Sequence, residues 1–365
     1  MKIKKVELFH IKIPCSHPFE TSFGVICDRP SLIIKLTSDA GLVGYGESST
    51  NDTPMVEPET TSEALELLKE RLPKLIGLPI NGELDIVELF GDPRYPVSLF
   101  GIEVAYLDLL AKSKGVTLSN FFGTTNTQVL AGESIGMQPS IKKTIEKVES
   151  FIKDGYSRIK IKISKGHDEE IIQAVRKAFP ALYLGADANA CYTNEDMAHL
   201  ASFTKYNLAF IEQPFGANDY KSSATLKSLG VKVCLDEAIL NLETCGRAIK
   251  EKACDMINIK PARIGSFKES LKIHDLCASE GIKLFGGGRL ETGIGTSANA
   301  AFYALPGFTE ASDITLPLNN YKLDIINPPF NMNNGIHTIP NLPGIGVNVD
   351  EKVLEKFTIK HYTFQ

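Results

Sequence analysis

The chain has little of what marks several large protein classes. Its seven cysteines, at 15, 27, 191, 234, 245, 254 and 277, are odd in number and scattered, with no C-x-x-C pair. That pattern excludes a disulfide framework and a thiolate zinc site, and is read as the reduced thiols of a cytoplasmic protein. Cys191 and Cys234 fall near residues of interest and are read as small packing residues. No apolar run approaches the roughly 20 residues needed to span a bilayer, so no membrane partner is expected. The opening stretch "MKIKKVELFHIKIP" alternates and then meets Pro14, as a strand does and a signal core does not. Positive charge is not in excess: Lys and Arg number 39 against 44 Asp and Glu, a net charge of −5, so no nucleic-acid partner is expected either.

What remains is an ordinary globular composition, 43% hydrophobic and 23% charged over 365 residues. That length suggests two domains, or one large barrel with an addition. Residues 1–50 read as consecutive strands, with "SDAG" as a turn between two of them. Residues 60–123 read as helices, the stretch "SLFGIEVAYLDLLAKSKG" having apolar spacing near 3.6. From about residue 130 short β-rich runs alternate with helical stretches: "RIKIKI" then "DEEIIQAVRKAF", "LYLGADAN" then "NEDMAHLASFTKY", and so on through "KLFGGGR" then "TSANAAFYAL". Units of about 25 residues, repeated six or more times, indicate a parallel α/β barrel. A doubly wound open sheet is the rival. It is weakened because no Gly-rich dinucleotide fingerprint follows the first strand. The tail from "PPFNMNNG" loses the repeat, as a segment returning to the N-terminal domain would.

Within "YSRIKIKISKG" (156–166), alternation puts Lys160 and Lys162 on one face of a strand and Ile159, Ile161 and Ile163 on the other. A half-exposed strand with lysine on its wet face is one reading. The strand ends that follow supply another. Asp187 in "GADAN", Glu212 in "FIEQP", Asp236 in "CLDEA" and Lys260 in "INIKP" are 25, 24 and 24 residues apart, one strand–helix unit each. In a barrel, chemistry sits at the C-terminal ends of strands. Three carboxylates there would resist ionisation together, and a divalent cation removes the conflict, oxygen ligands favouring Mg²⁺. Helix caps are the plainer role for single acids. Glu237 is set aside as a ligand, since neighbouring strand residues face opposite ways. The lysines then flank the metal site from strands two and six. Lys160 is expected to lower its neighbour's pKa and so favour a neutral amine base.

With these motifs in order, the chain resembles the enolase superfamily and, within it, the muconate lactonizing enzyme subgroup. The matching stretches are "KIK" at 160–162, "DAN" at 187–189, "EQP" at 212–214, "DE" at 236–237, "NIKPARIG" at 258–265 and "GGGRLETGIGTSANAA" at 286–301. The last of these resembles the seventh- and eighth-strand segments. "PFETSFG" and "GLVGYGES" resemble the capping domain and "PNLPGIGVNVD" its closing segment. The resemblance implies a (β/α)7β modified TIM barrel with an α+β N-terminal capping domain: residues 1–125 capping domain, 126–322 barrel, 323–365 returning to the cap. It implies one Mg²⁺ on Asp187, Glu212 and Asp236, with Lys162 and Lys260 as acid/base catalysts and Lys160 assisting. No histidine falls near Gly286–Gly288, where the mandelate racemase branch would place one.

Among the subgroup's reactions, the chain most resembles dipeptide epimerases of the L-Ala-D/L-Glu type. The expected reaction is 1,1-proton transfer at the carbon next to a dipeptide carboxylate. Those enzymes carry Asp-x-Asp after the eighth strand to hold the substrate's ammonium group. Here "SDITLPL" offers Asp313 and Thr315, 53 residues beyond Lys260 for the first, with "PL" following. A helix cap or turn acid is the plainer role for Asp313. Glu291 and Asn189 complete the expected substrate-binding set, and Arg29 and Arg289 are candidate carboxylate partners. The rival is N-succinylamino acid racemase/o-succinylbenzoate synthase, which "ALPGFTEASDI" (304–314) resembles and which needs no ammonium partner. An alternative of another class is a non-catalytic small-molecule binding barrel, which predicts a broken catalytic set. Barrels of this family often assemble, so a homo-oligomer fits the resemblance.

Overall fold

A computed structural model describes all residues except 22–23, 56, 83, 316–320 and 331, and the side chains of 17 and 19–21. Parts of the "PFETSFG" stretch and the "PL" after Thr315 therefore lie outside the described residues.

The N-terminal strands form because β-branched and aliphatic residues alternate with polar ones. They are β1 (Ile3–Thr21), β2 (Gly24–Ser38) and β3 (Val43–Ser48). All pair antiparallel, and the strand Thr358–Phe364 adds to the free edge of β1. Helices α1 (Thr61–Arg71), α2 (Ile86–Phe90), α3 (Pro96–Lys114) and α4 (Leu118–Phe121) follow. A reciprocal Thr60–Glu63 capping box starts α1. Residues of α3 are buried all round from Val97 to Ala111, as in a helix enclosed by its own domain. It lies directly on β3. A Cβ at Gly44 or Gly46 would overlap its backbone, which explains both glycines of "GLVGYGES". Buried Asp108 on α3 accepts from the backbone of Tyr45 and Ile345 and pairs with Lys112, tying strand, helix and C-terminal segment together.

The barrel runs β4 (Gln128–Ile135), α5 (Ile141–Lys153), β5 (Arg158–Lys162), α6 (Glu169–Ala178), β6 (Tyr183–Asp187), α7 (Met197–Ser202), β7 (Phe210–Glu212), α8 (Tyr220–Ser228) and β8 (Val233–Leu235). It continues with α9 (Leu242–Lys250), β9 (Met256–Ile259), α10 (Pro261–Ile264), α11 (Phe267–Ser279), β10 (Lys283–Gly286), α12 (Gly293–Tyr303) and β11 (Ser312–Asp313). Strands β4 to β10 pair in parallel in sequence order. The two-residue β11 pairs with β4, and Ser312 Oγ accepts from the Gly286 amide of β10, so the eighth strand closes the ring. This is the (β/α)7β barrel with an α+β cap. Its first strand, "QVLAGESI", carries too little alternation to stand out before "RIKIKI". The eighth strand lies at 312–313; the stretch 286–301 is the end of the seventh strand and α12, not the eighth-strand segment. Asp313 therefore sits on the eighth strand rather than after it, paired opposite Gly132.

Inside the ring, Phe210, Cys234, Met256 and Phe285 form a separate apolar cluster beneath the strand ends. Cys234 is thus a packing residue, its thiol pushed well up by burial. The cap docks over the C-terminal ends of the strands, at the barrel mouth. Glu47 at the tip of β3 accepts from the amides of Thr292 and Gly295 and the Thr292 hydroxyl, at the N-terminus of α12.

Candidate active site

Strand register brings the motif residues to one level. Lys162 pairs opposite Asp187, and Asp187 opposite Glu212, across β5, β6 and β7. Asp236 follows the last residue of β8, and Lys260 the last residue of β9. Lys160, Lys162, Asp187 and Lys260 line one cleft between barrel and cap. The half-exposed reading of "RIKIKI" does not hold: Lys160 is only 3% exposed and faces the barrel interior. Arg158 shares that face, so three cations line one side of β5.

Each cation has its acid. Lys162 Nζ stands 2.7 Å from Asp187 Oδ2 and donates to Asn189 Oδ1 at 2.5 Å. Lys160 Nζ lies 2.7 Å from Glu212 Oε2, 3.1 Å from Asp313 Oδ2 and 3.5 Å from Asp187 Oδ2. Lys260 Nζ lies 2.8 Å from Asp236 Oδ2, and Arg263 holds the other Asp236 oxygen. Burial works against the charge on Lys160, but Asp313, Glu212 and Asp187 outweigh it and raise its pKa well above the ordinary value. Lys160 is therefore a fixed cation. Burial pushes the Asp187 carboxyl up, yet Lys162, Lys160 and Lys260 hold it down at about 2. Glu212 goes the other way. Burial, with Asp187, Asp236 and Asp313 close by, lifts it to about 7 although Lys160 pulls back.

Among the described residues no three His, Cys, Asp or Glu side chains stand together as a ready metal cage. The expected three-carboxylate cluster is spread instead over ammonium partners, because buried carboxylates need compensating charge and strands two and six supply it. The donor chemistry still fits a hard divalent cation. Three buried carboxylates end adjacent strands, and the mutual lifting of Glu212 by Asp187 and Asp236 places them in one field. Asn258 Oδ1 and Glu237 Oε2 are buried beside them without a partner among the described residues. Strand alternation does not exclude Glu237 as a ligand, because Asp236 and Glu237 lie in the turn beyond β8, where alternation has ended. Glu237 accepts from Asn189, and burial together with Asp236 raises it to about 6.

The substrate-binding expectations fare unevenly. Asp313 is not free to receive an ammonium group: Arg158 NH1 is 2.6 Å from its Oδ1, and Lys160 takes Oδ2. Both strands flank Gly132, where a Cβ would overlap the Arg158 guanidinium, so this glycine opens the path between them. Thr315 donates to Glu133 at 2.9 Å. Glu291 accepts from Asn299 and from the Arg289 amide, bracing its own loop at the cleft wall. Arg289 is committed to Glu57. Arg29 has only neutral partners among the described residues, Asn51 and the Ser49 carbonyl, and its Nε has none.

Several participants gave no sequence signal. Glu57 of the cap joins Arg263 and Arg289, linking the barrel mouth to the cap through Asp236. Gln213, with φ of +37°, accepts through Oε1 from the amides of Asp236 and Ala238 and so shapes the Asp236 turn. Asn258 Nδ2 donates to Glu212. The "EQP" and "INIKPARIG" stretches contain these residues, but their partners lie 23 or more positions away.

Comparison with known proteins agrees with the geometry. Residues 4–123 match the family model of the mandelate racemase/muconate lactonizing enzyme N-terminal domain, and 143–353 that of the enolase C-terminal domain-like family. An o-succinylbenzoate synthase of Bacillus subtilis (strain 168) is 36% identical over 100% of this chain and 99% of its own length. An N-succinylamino acid racemase of Thermus thermophilus is 36% identical, covering 98% of each chain. The crystal structure of an enolase-superfamily member from Listeria innocua superposes with a TM-score of 0.93 at 35% identity, over 100% of this chain and 99% of that one. A dipeptide epimerase from Cytophaga hutchinsonii, complexed with Mg and D-Ala-L-Val, shares the fold with a TM-score of 0.91 at 24% identity, over the whole of both chains. The chain belongs to the mandelate racemase/muconate lactonizing enzyme family of the enolase superfamily, whose curated relatives here are enzymes.

Proposed function

We propose that this protein is a Mg²⁺-dependent enzyme that moves a proton at the carbon next to a substrate carboxylate, acting on N-succinylamino acids or on the substrate of an o-succinylbenzoate synthase. One observation carries the reading. Lys162 and Lys260 enter the same cleft from the second and sixth strands of an eight-stranded ring, hence from opposite sides of anything bound between them. A lysine in its neutral form takes the α-proton from one face, and the ammonium on the other side returns one to the opposite face, inverting the centre. Lys160 stays charged and contributes positive potential instead of acting as a base. Asp187, Glu212 and Asp236 would hold the metal. When bound, Mg²⁺ supplies positive charge against the negative charge that grows on the substrate carboxylate.

The succinyl preference rests on two points. Asp313, which dipeptide recognition would need, is neutralised within the protein. Arg29, a buried guanidinium in the cap with neutral partners, suits the distal carboxylate of a succinyl arm. Epimerisation of dipeptides such as L-Ala-D/L-Glu is the second reading, favoured by the acid Glu133 that Thr315 holds at the cleft wall. A purely binding barrel does not account for the complete set of three acids and three lysines.

Proton NMR in D₂O with Mg²⁺, on N-succinylamino acids beside L-Ala-L-Glu and other dipeptides, tests the proposal. The expected result is α-proton loss in the N-succinyl compounds, abolished in Lys162→Ala and Lys260→Ala proteins that still fold. Exchange confined to dipeptides, or retained in both lysine variants, overturns it.

A further inference from the structure

Glu133, named above only in support of the second reading, is neither a metal ligand nor a partner of the acid/base lysines. It sits on the first barrel strand, 3% exposed, at the wall of the cleft. Its Oε1 accepts from the Ser134 amide at 3.0 Å and from the Thr315 hydroxyl at 2.9 Å. Its Oε2 is buried and has no partner among the described residues. A buried carboxylate ordinarily takes a cation or a full set of donors, because its desolvation is otherwise uncompensated. The cations of the two clefts are engaged elsewhere: Arg158 with Asp313 and the Ala311 carbonyl, Lys160 with Glu212 and Asp313, Lys143 with Glu146, and Lys147 over the Phe151 ring.

Glu133 also stands at a partition. A second cleft, lined by Ser134, Gln138, Phe151 and Leu290 among others, meets the first along Glu133, Ser134 and Leu290. An arm of a substrate held between Lys162 and Lys260 that extends toward this shared wall meets Glu133. What the carboxylate lacks is positive charge with N–H donors, and an uncharged group on the arm leaves that need unmet.

We propose that Glu133 is the substrate-selecting residue of this site, receiving a protonated amine on the substrate arm that runs from the reacting centre toward the second cleft. The inference rests on the α-proton-transfer reading for where the arm begins, and it narrows the substrate class to amine-bearing compounds. The amine has two sources: the side chain of an N-succinylated basic amino acid, or the free N-terminus of a dipeptide.

The test is titration calorimetry of the Mg²⁺-supplemented protein with two matched pairs, following α-proton exchange in parallel. The pairs are N-succinyl-L-lysine against N-succinyl-L-norleucine, and L-Ala-L-Glu against its N-acetyl derivative. The expected result is a preference of about 10- to 100-fold for the amine in one pair, the size of a charge-assisted hydrogen bond. In Glu133→Gln that ratio should fall close to one. Preference in the first pair places the amine on a side chain, and in the second at an N-terminus. No preference in either pair for the natural protein overturns the proposal, whether or not the variant folds. So does a ratio that Glu133→Gln leaves intact while both affinities drop, which would make Glu133 structural. Amine preference in binding without any exchange would sink the proton-transfer reading and leave this one standing.

Discussion

Asp313 can be removed with little change of shape by Asp313→Asn, which leaves Arg158 and Lys160 as two buried cations short of one counter-charge. Two routes give the magnitude. Burial opposes ionisation of Asp313, but Arg158 and Lys160 hold its pKa near 2 against an ordinary 3.8. Such a lowered carboxylate contributes stability that is fully present above about pH 4 and is lost as pH falls through 2, worth about 2.5 kcal/mol at neutral pH. Breaking one partner of a buried ion pair typically costs about 3–5 kcal/mol. The two agree on a loss near 3 kcal/mol, about 4 °C in Tm if a chain of this size unfolds as one unit. Scanning calorimetry of both proteins at pH 7, repeated below pH 4, reads the effect. The gap should be present at pH 7 and narrow in acid. If Asp313→Asn melts at or above the natural protein at pH 7, Asp313 is not the internal counter-ion described here and is again available for a substrate ammonium group.

A Cβ at Gly287 would overlap Asn258 Oδ1 and Lys260 Cε, so Gly287→Ala should displace the Lys260 amine. Turnover should fall at least tenfold, with a smaller effect on substrate affinity; an unchanged kcat would show that Lys260 is not positioned by this contact. His337 is 1% exposed, has no partner on either ring nitrogen among the described residues, and burial lowers its pKa to about 4. Its charged form is disfavoured in the fold, so stability is complete above about pH 6.5 and declines by about 3 kcal/mol as pH falls to 4. His337→Phe should remove that pH dependence in urea titrations; the same slope in both proteins refutes the assignment. Excess chelator should abolish α-proton exchange and Mg²⁺ restore it. Mg²⁺ should also raise Tm in the natural protein but not in Asp187→Asn, and full exchange in chelator counts against the metal site.

Much of the architecture was legible along the chain, because it is written in local repeats. Strand alternation, helical spacing and a period of 24–25 residues between strand ends depend only on near neighbours. They were enough to place Asp187, Glu212, Asp236, Lys162 and Lys260 at one end of a parallel barrel. The chemical state of those residues depends on contacts that sequence distance hides. Asp313 looked free for substrate because its partners, Arg158 and Lys160, are 155 and 153 positions away and meet it only when the eighth strand closes beside the first. Glu237 looked excluded because the alternation rule was carried past the strand's last residue into a turn. Lys160 looked like a modulator of Lys162 until three carboxylates from three other strands converged on it. Glu57 carried no signal, and Arg263 showed only as part of "NIKPARIG" and not as its partner, since cap and barrel are joined only in the folded chain. Glu133 lay in a strand that the pattern itself did not show. Periodicity decides which side chains reach the barrel mouth. Closure of the ring decides which charges cancel there and which are left to meet a substrate.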